Sequence, residues 1–261
     1  MKKNSLMAVI LGAVAAVLYF ASAASYVFPG VSAHLQSLWQ GLDVAETAPY
    51  PLMAMFAKMF GSGNAMAPVF GALAVFLLFV FTAAFVSLRV HGEESQSRKG
   101  ALSLVAGLTA SVVFMLTPAV REAATHLEPR MFDFCWALLS LLPALAMVVA
   151  PRPVVLLLPM LMGVMVALGA CDSALFFAMT PLFLYAIAVA QGRRGVRPYL
   201  AIVLFVFAGL VAFPVAASAF GLEMSELLRG LFKEFKEYYA TPGWLFVAIF
   251  ATLPYTAYAK V

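Results

Sequence analysis

The chain is predicted to be an all-α polytopic membrane protein, a transmembrane helical bundle of about eight spans. Three observations lead there. Apolar residues make up 64% of the sequence and charged residues only 11%. Mean hydropathy is +0.99, well above that of soluble domains, where apolar usage is nearer half. Apolar runs of about 20 residues, the length that crosses roughly 30 Å of hydrocarbon as a helix, recur along the whole chain. Because these runs are continuous, a strand barrel with its short alternating segments is excluded. No repeat or low-complexity linker divides the chain, so residues 1–261 read as a single transmembrane domain.

The expected spans are about 6–28, 65–90, 101–118, 131–149, 153–170, 173–190, 199–217 and 243–259. The first has a second reading. Two lysines, an apolar core and Ala21-Ser-Ala23 resemble a signal peptide. Its apolar run continues to Phe28, longer than a signal core requires, which favours a retained helix.

Charge sets the expected orientation. With the N-terminus inside and the spans alternating, Lys2, Lys3, Arg89, Arg98, Lys99, Arg152, Arg193, Arg194, Arg197 and Lys260 fall on the cytoplasmic side. Lys58, Arg121, Arg130, Arg229, Lys233 and Lys236 fall outside. That imbalance obeys the positive-inside rule and places both termini in the cytoplasm. Of the acids, only Glu93 and Glu94 are inside. The net charge of +4 is therefore a topology signal, and a nucleic-acid partner is excluded. Cys135 and Cys171 lie at or within spans, without disulfide or metal spacing, and read as buried small hydrophobes.

The outer segments carry the chemistry. The first, about 29–64, holds Asp43 and Glu46, then Pro49-Tyr50-Pro51 opening a short apolar helix that stops at Gly61-Ser-Gly63. That helix either lies in the membrane interface or packs on the bundle. The second, about 117–133, gathers Arg121, Glu122, His126, Glu128, Arg130 and Asp133, either around a cavity or in a solvated hairpin. Asp133 opens the fourth span, where an ionisable group is expected to face the bundle interior. The third is the tight turn at Asp172, whose carboxylate is expected to cap the following helix and is retained as a candidate ligand. In the fourth, Leu227, Leu228, Leu231, Phe232 and Phe235 recur at helical spacing opposite Lys and Glu, the pattern of an amphipathic interfacial helix. No phosphate-binding glycine loop, zinc spacing or nucleophile elbow occurs.

Leu42-Asp43-Val-Ala-Glu46 followed by Ala48-Pro-Tyr50-Pro51-Leu52 resembles, in order and spacing, paired motifs of the GT-C superfamily of polytopic glycosyltransferases, in particular its DUF2723-like branch. The Trp and Gly of the family's first motif are absent here. Glu128-Pro-Arg-Met-Phe-Asp133 stands in the place of the family's second-loop element, and the turn ending in Asp172 in that of a Gly-rich stretch. The resemblance covers about residues 1–200.

It implies a bacterial inner-membrane protein that transfers a sugar from a polyprenyl-phosphate-type donor at the extracytoplasmic face. Asp43 would be the catalytic base or a metal-associated carboxylate, with Glu46 beside it. Tyr50, Arg121, Glu128, Arg130, Asp133 and Asp172 would contact substrate. A carboxylate within hydrogen-bond reach suits deprotonation of an acceptor hydroxyl. A cation, either a divalent metal or Arg121 and Arg130, suits the phosphate leaving group. The alternatives are a non-catalytic membrane scaffold that keeps the fold and, behind it, a transporter or flippase. Membrane lipid is the expected partner in each case.

Overall fold

A computed structural model describes residues 2–23, 31–40, 42, 50–60, 63–89, 96–192 and 198–238. Among these every regular element is a helix: α1 Lys2–Ser22, α2 Val31–Trp39, α3 Pro51–Phe60, α4 Gly63–Arg89, α5 Gln96–Leu116, α6 Pro118–Thr125, α7 Pro129–Val149, α8 Arg152–Val155, α9 Leu157–Ala170, α10 Leu175–Gly192, α11 Pro198–Ala219 and α12 Met224–Tyr238.

Among the described residues six stretches are long and apolar enough to cross a membrane: Asn4–Ser22, Ala65–Ser87, Arg98–Leu116, Pro129–Val149, Pro153–Ala170 and Tyr199–Ala219. The apolar part of α10, Leu175–Gln191, is shorter. The expected span at 243–259 lies outside the described residues. Large apolar side chains such as Val17, Val113, Leu210 and Val215 stand more than 60% exposed on the flanks of α1, α5 and α11. Water would not tolerate so many exposed large apolar side chains on each helix, whereas lipid does. The protein is a multi-pass membrane protein.

The chain forms two compact units. The first comprises Met1–Ala45 and Met53–Leu138, the second Glu46–Leu52 and Leu139–Val261. In the first, α4 packs against α1, α5 and α6. Gly71 permits the close approach, since a Cβ there would stand 2.6 Å from that of Ala124 and against the Tyr19 ring. Polar ties run between helices: the Tyr19 hydroxyl donates to the Met115 carbonyl at 3.2 Å, and Ser111 donates to the Val75 carbonyl at 3.3 Å. Phe56 of α3 joins Phe70, Phe132 and Trp136 in an aromatic cluster, with centroids about 5–6 Å apart. The short apolar helix of the first outer segment is therefore a packed element, with Met53 and Ala57 buried.

In the second unit α9 lies directly on α11, where Gly163 faces the Phe205 carbonyl so closely that no Cβ would fit. Small residues at such crossings are what membrane helices use to gain van der Waals contact when hydrophobicity offers no drive between them. Prolines interrupt α4, α7, α10 and α11 at Pro68, Pro143, Pro181 and Pro214. Each removes one i to i−4 hydrogen bond, which a span tolerates when neighbours or water satisfy the freed carbonyl.

Candidate functional site

Among the described residues a concave site lies in the first unit, where α1 and α5 end and α6 begins. α5 stops at Leu116 and Thr117 is extended, with ψ at 128°. Pro118, whose missing N–H is harmless in a first turn, opens α6. The helix is amphipathic. Ala123, Ala124 and Thr125 are buried against the unit, while Arg121 and Glu122 are exposed.

Two cavities meet there. A polar recess of about 370 Å³ is lined by Ser22, Pro118, Arg121, Glu122, Thr125 and His126. An apolar groove of about 300 Å³ is lined chiefly by Leu18, Tyr19, Met115 and Leu116, and Arg121 lines it as well. The guanidinium thus stands at the boundary between the two. Thr125 is already engaged, its hydroxyl donating to the Arg121 carbonyl at 2.8 Å. Ser22 likewise donates to the Leu18 carbonyl at 2.7 Å. The charged chemistry of the recess therefore rests on Arg121, Glu122 and His126.

Of the residues that the resemblance assigned to substrate, Arg121 alone lines this site, beside Glu122 and His126 of the same outer segment. Asp43 and Glu46 lie outside the described residues, so the expectation of a metal-associated carboxylate falls there too. Among the described residues no group of three His, Cys, Asp or Glu stands in a metal-binding arrangement. Glu128 is half-buried ahead of Pro129, the first residue of α7, and Arg130 is exposed in that helix's first turn. Asp133 is buried within α7 at 7% exposure, an interior placement as expected for an ionisable residue in a span. None of these three lines either cavity. The second outer segment is mostly helical, as α6 and the start of α7, with Arg121, Glu122 and Arg130 exposed.

Tyr50 and Asp172 belong to the second unit. At the start of α10 the Ser173 hydroxyl accepts from the Leu175 N–H at 3.3 Å. Asp172 Oδ1 accepts from the Leu52 N–H at 2.6 Å. It thereby satisfies one of the orphan first-turn donors of α3, a helix that begins 121 residues before it. Tyr50 immediately precedes Pro51 and sits at φ 50°, a left-handed conformation that is strained for a large non-glycine residue. Burial first, and then the Asp172 carboxylate beside it, push the Cys171 thiol up to about 12.

Sequence reasoning missed Ser22 and Thr125, and it gathered Glu122 and His126 with Arg121 without giving them a role. The available signal was the spacing of Arg121, Glu122, Thr125 and His126 on one amphipathic turn. It also missed α2, which docks on the turn between α6 and α7 through the Ser32 hydroxyl, donating to the Leu127 carbonyl at 2.8 Å. Comparison with protein-family models, curated proteins and solved structures finds no match for this chain.

Proposed function

We propose that this multi-pass protein binds the phosphate head of a membrane lipid in the recess at the ends of α1, α5 and α6. The fuller form of the proposal, which the motif resemblance supplies, is a glycosyltransferase-like protein. It would move a sugar from a polyprenyl-phosphate-type donor at the extracytoplasmic face of a bacterial inner membrane, with both termini cytoplasmic. One observation carries the lipid reading: Arg121 lies where an apolar groove meets a polar recess, at the level where two spans end. Guanidinium pockets beside membrane-spanning helices suit lipid phosphates, because the fork of donors meets the anion while the tail stays in hydrocarbon. Transfer is supported by the Asp43–Glu46 and Pro49–Leu52 motifs, and Asp43 would act as the base.

The non-catalytic scaffold is kept as a second reading on a specific ground. Asp172, a candidate substrate ligand, has its carboxylate committed to the backbone of α3.

The test uses the full chain in nanodiscs with a radiolabelled polyprenyl-phosphate sugar. Transfer that Asp43→Asn abolishes, without loss of folded protein, is the expected result. Full activity in that variant overturns catalysis at Asp43. Lipid retention without any transfer selects the scaffold.

A further inference from the structure

The two cavities that meet at Arg121 differ in kind, and their order says which lipid they fit. Leu18 and Leu116, at the ends of two membrane-spanning helices, are 44% and 54% exposed, so the apolar groove opens to hydrocarbon. Arg121 belongs to both cavities, whereas Glu122 and His126 belong to the polar recess only. A molecule lying in both meets apolar side chains, then a guanidinium, then a carboxylate. Successive residues of a helix diverge by about 100°, which spreads the charges of Arg121 and Glu122 across the mouth of the recess.

We infer that the recess is built for a zwitterionic phospholipid with a primary-amine head, of the phosphatidylethanolamine type. Its acyl chain lies along Leu18 and Leu116, its phosphate on the Arg121 guanidinium and its ammonium on the Glu122 carboxylate. The phosphodiester matches the planar donor fork of Arg, and the ammonium, two carbons further on, brings three N–H donors to a carboxylate acceptor. The other common heads fit less well. A polyprenyl phosphate carries negative charge and no cation, so Glu122 opposes it. A glycerol head leaves Glu122 without an ion partner. A trimethylammonium head keeps the charge but has no N–H to donate. The inference rests on reading the recess as a lipid-phosphate seat, and it assigns that seat to a phospholipid and not to the sugar donor.

The experiment offers the purified, delipidated full chain equal amounts of phosphatidylethanolamine, phosphatidylcholine, phosphatidylglycerol and undecaprenyl phosphate. Retention is read by native mass spectrometry. Phosphatidylethanolamine is expected to be retained over each of the others by on the order of tenfold. Glu122→Gln should erase that preference while phosphate lipids still bind, and Arg121→Gln should weaken all four. Glu122→Lys supplies a readout that does not depend on loss, since preference should shift to phosphatidylglycerol. A wild-type preference for phosphatidylglycerol or undecaprenyl phosphate that depends on Arg121 overturns the aminophospholipid and leaves the lipid-phosphate seat standing. Retention indifferent to both Arg121→Gln and Glu122→Lys overturns the seat itself.

Discussion

At the scale of single residues, Asp172 shows how a side chain's chemistry can be legible while its partner is not. A carboxylate in a tight turn before an apolar helix reads as a local cap, and the neighbouring Ser173 also bonds the start of that helix. What the sequence does not display is a donor 120 residues away. Charged hydrogen bonds of this kind contribute about 1.5–3 kcal/mol. Asp172→Ala should therefore lower unfolding free energy by about that amount, while Asp172→Asn, which keeps an acceptor oxygen, should cost less than half as much. Denaturant unfolding in detergent checks both. Cys171 follows from the same turn. Its thiol, buried and facing the Asp172 carboxylate, stays protonated up to about 12, against an ordinary value of 9.0. Between those values the folded chain holds a proton that the unfolded chain has released, so this group's contribution to stability falls as pH rises through that window and is constant below it. Native protein should resist maleimide at pH 8 and react at Cys171 only after unfolding, with Cys171→Ser identifying the label.

At the scale of elements, legibility followed the strength of local punctuation. The Pro51–Phe60 helix was readable to the residue because proline opens it and Gly61-Ser-Gly63 closes it. α12 was readable because its Leu and Phe stripe repeats at helical spacing over four turns. α2 was not. It has nine residues and mixed polarity, and it is held through Leu35, which is buried, and the bond from Ser32 to Leu127. α6 was hidden by its charges, which drew attention to its exposed side and away from the buried Ala123-Ala124-Thr125. Two glycines make the element scale testable with one substitution. At Gly163 a new Cβ meets the backbone carbonyl of Phe205, so Gly163→Ala must push α9 away from α11, at about 1–3 kcal/mol. At Gly230, in α12, a Cβ meets nothing within 4 Å. Gly230→Ala should stabilise that helix by about 0.5–1 kcal/mol. Thermal unfolding of the two variants should move in opposite directions.

At the scale of the whole molecule, composition was enough for class. A chain this apolar has one solvent that suits it, and the six long apolar helices among the described residues match six of the eight runs read from the sequence. Orientation rests on the distribution of Lys and Arg alone, and it has a direct check. Reporter fusions after Arg98 and after Arg194 should both report cytoplasm, and an external signal from either overturns the orientation. The candidate site was only partly legible, for a physical reason. Arg121 was visible as a charge in a loop, but its meaning depends on Leu18, Met115 and Leu116, which lie on two other helices and look like ordinary span residues in the sequence. Such a site is made by helix ends coming together, and no local pattern encodes that.

The bond from Leu52 to Asp172 also has a consequence in time. A ribosome adds about 5–20 residues each second, so the acceptor for α3's first-turn N–H emerges roughly 6–24 s after the donor. Until then water or lipid head groups must occupy that donor. A nascent chain arrested short of residue 172 should be cut by an added protease near Tyr50, and one arrested beyond it, with room for the turn to clear the exit tunnel, should be protected there.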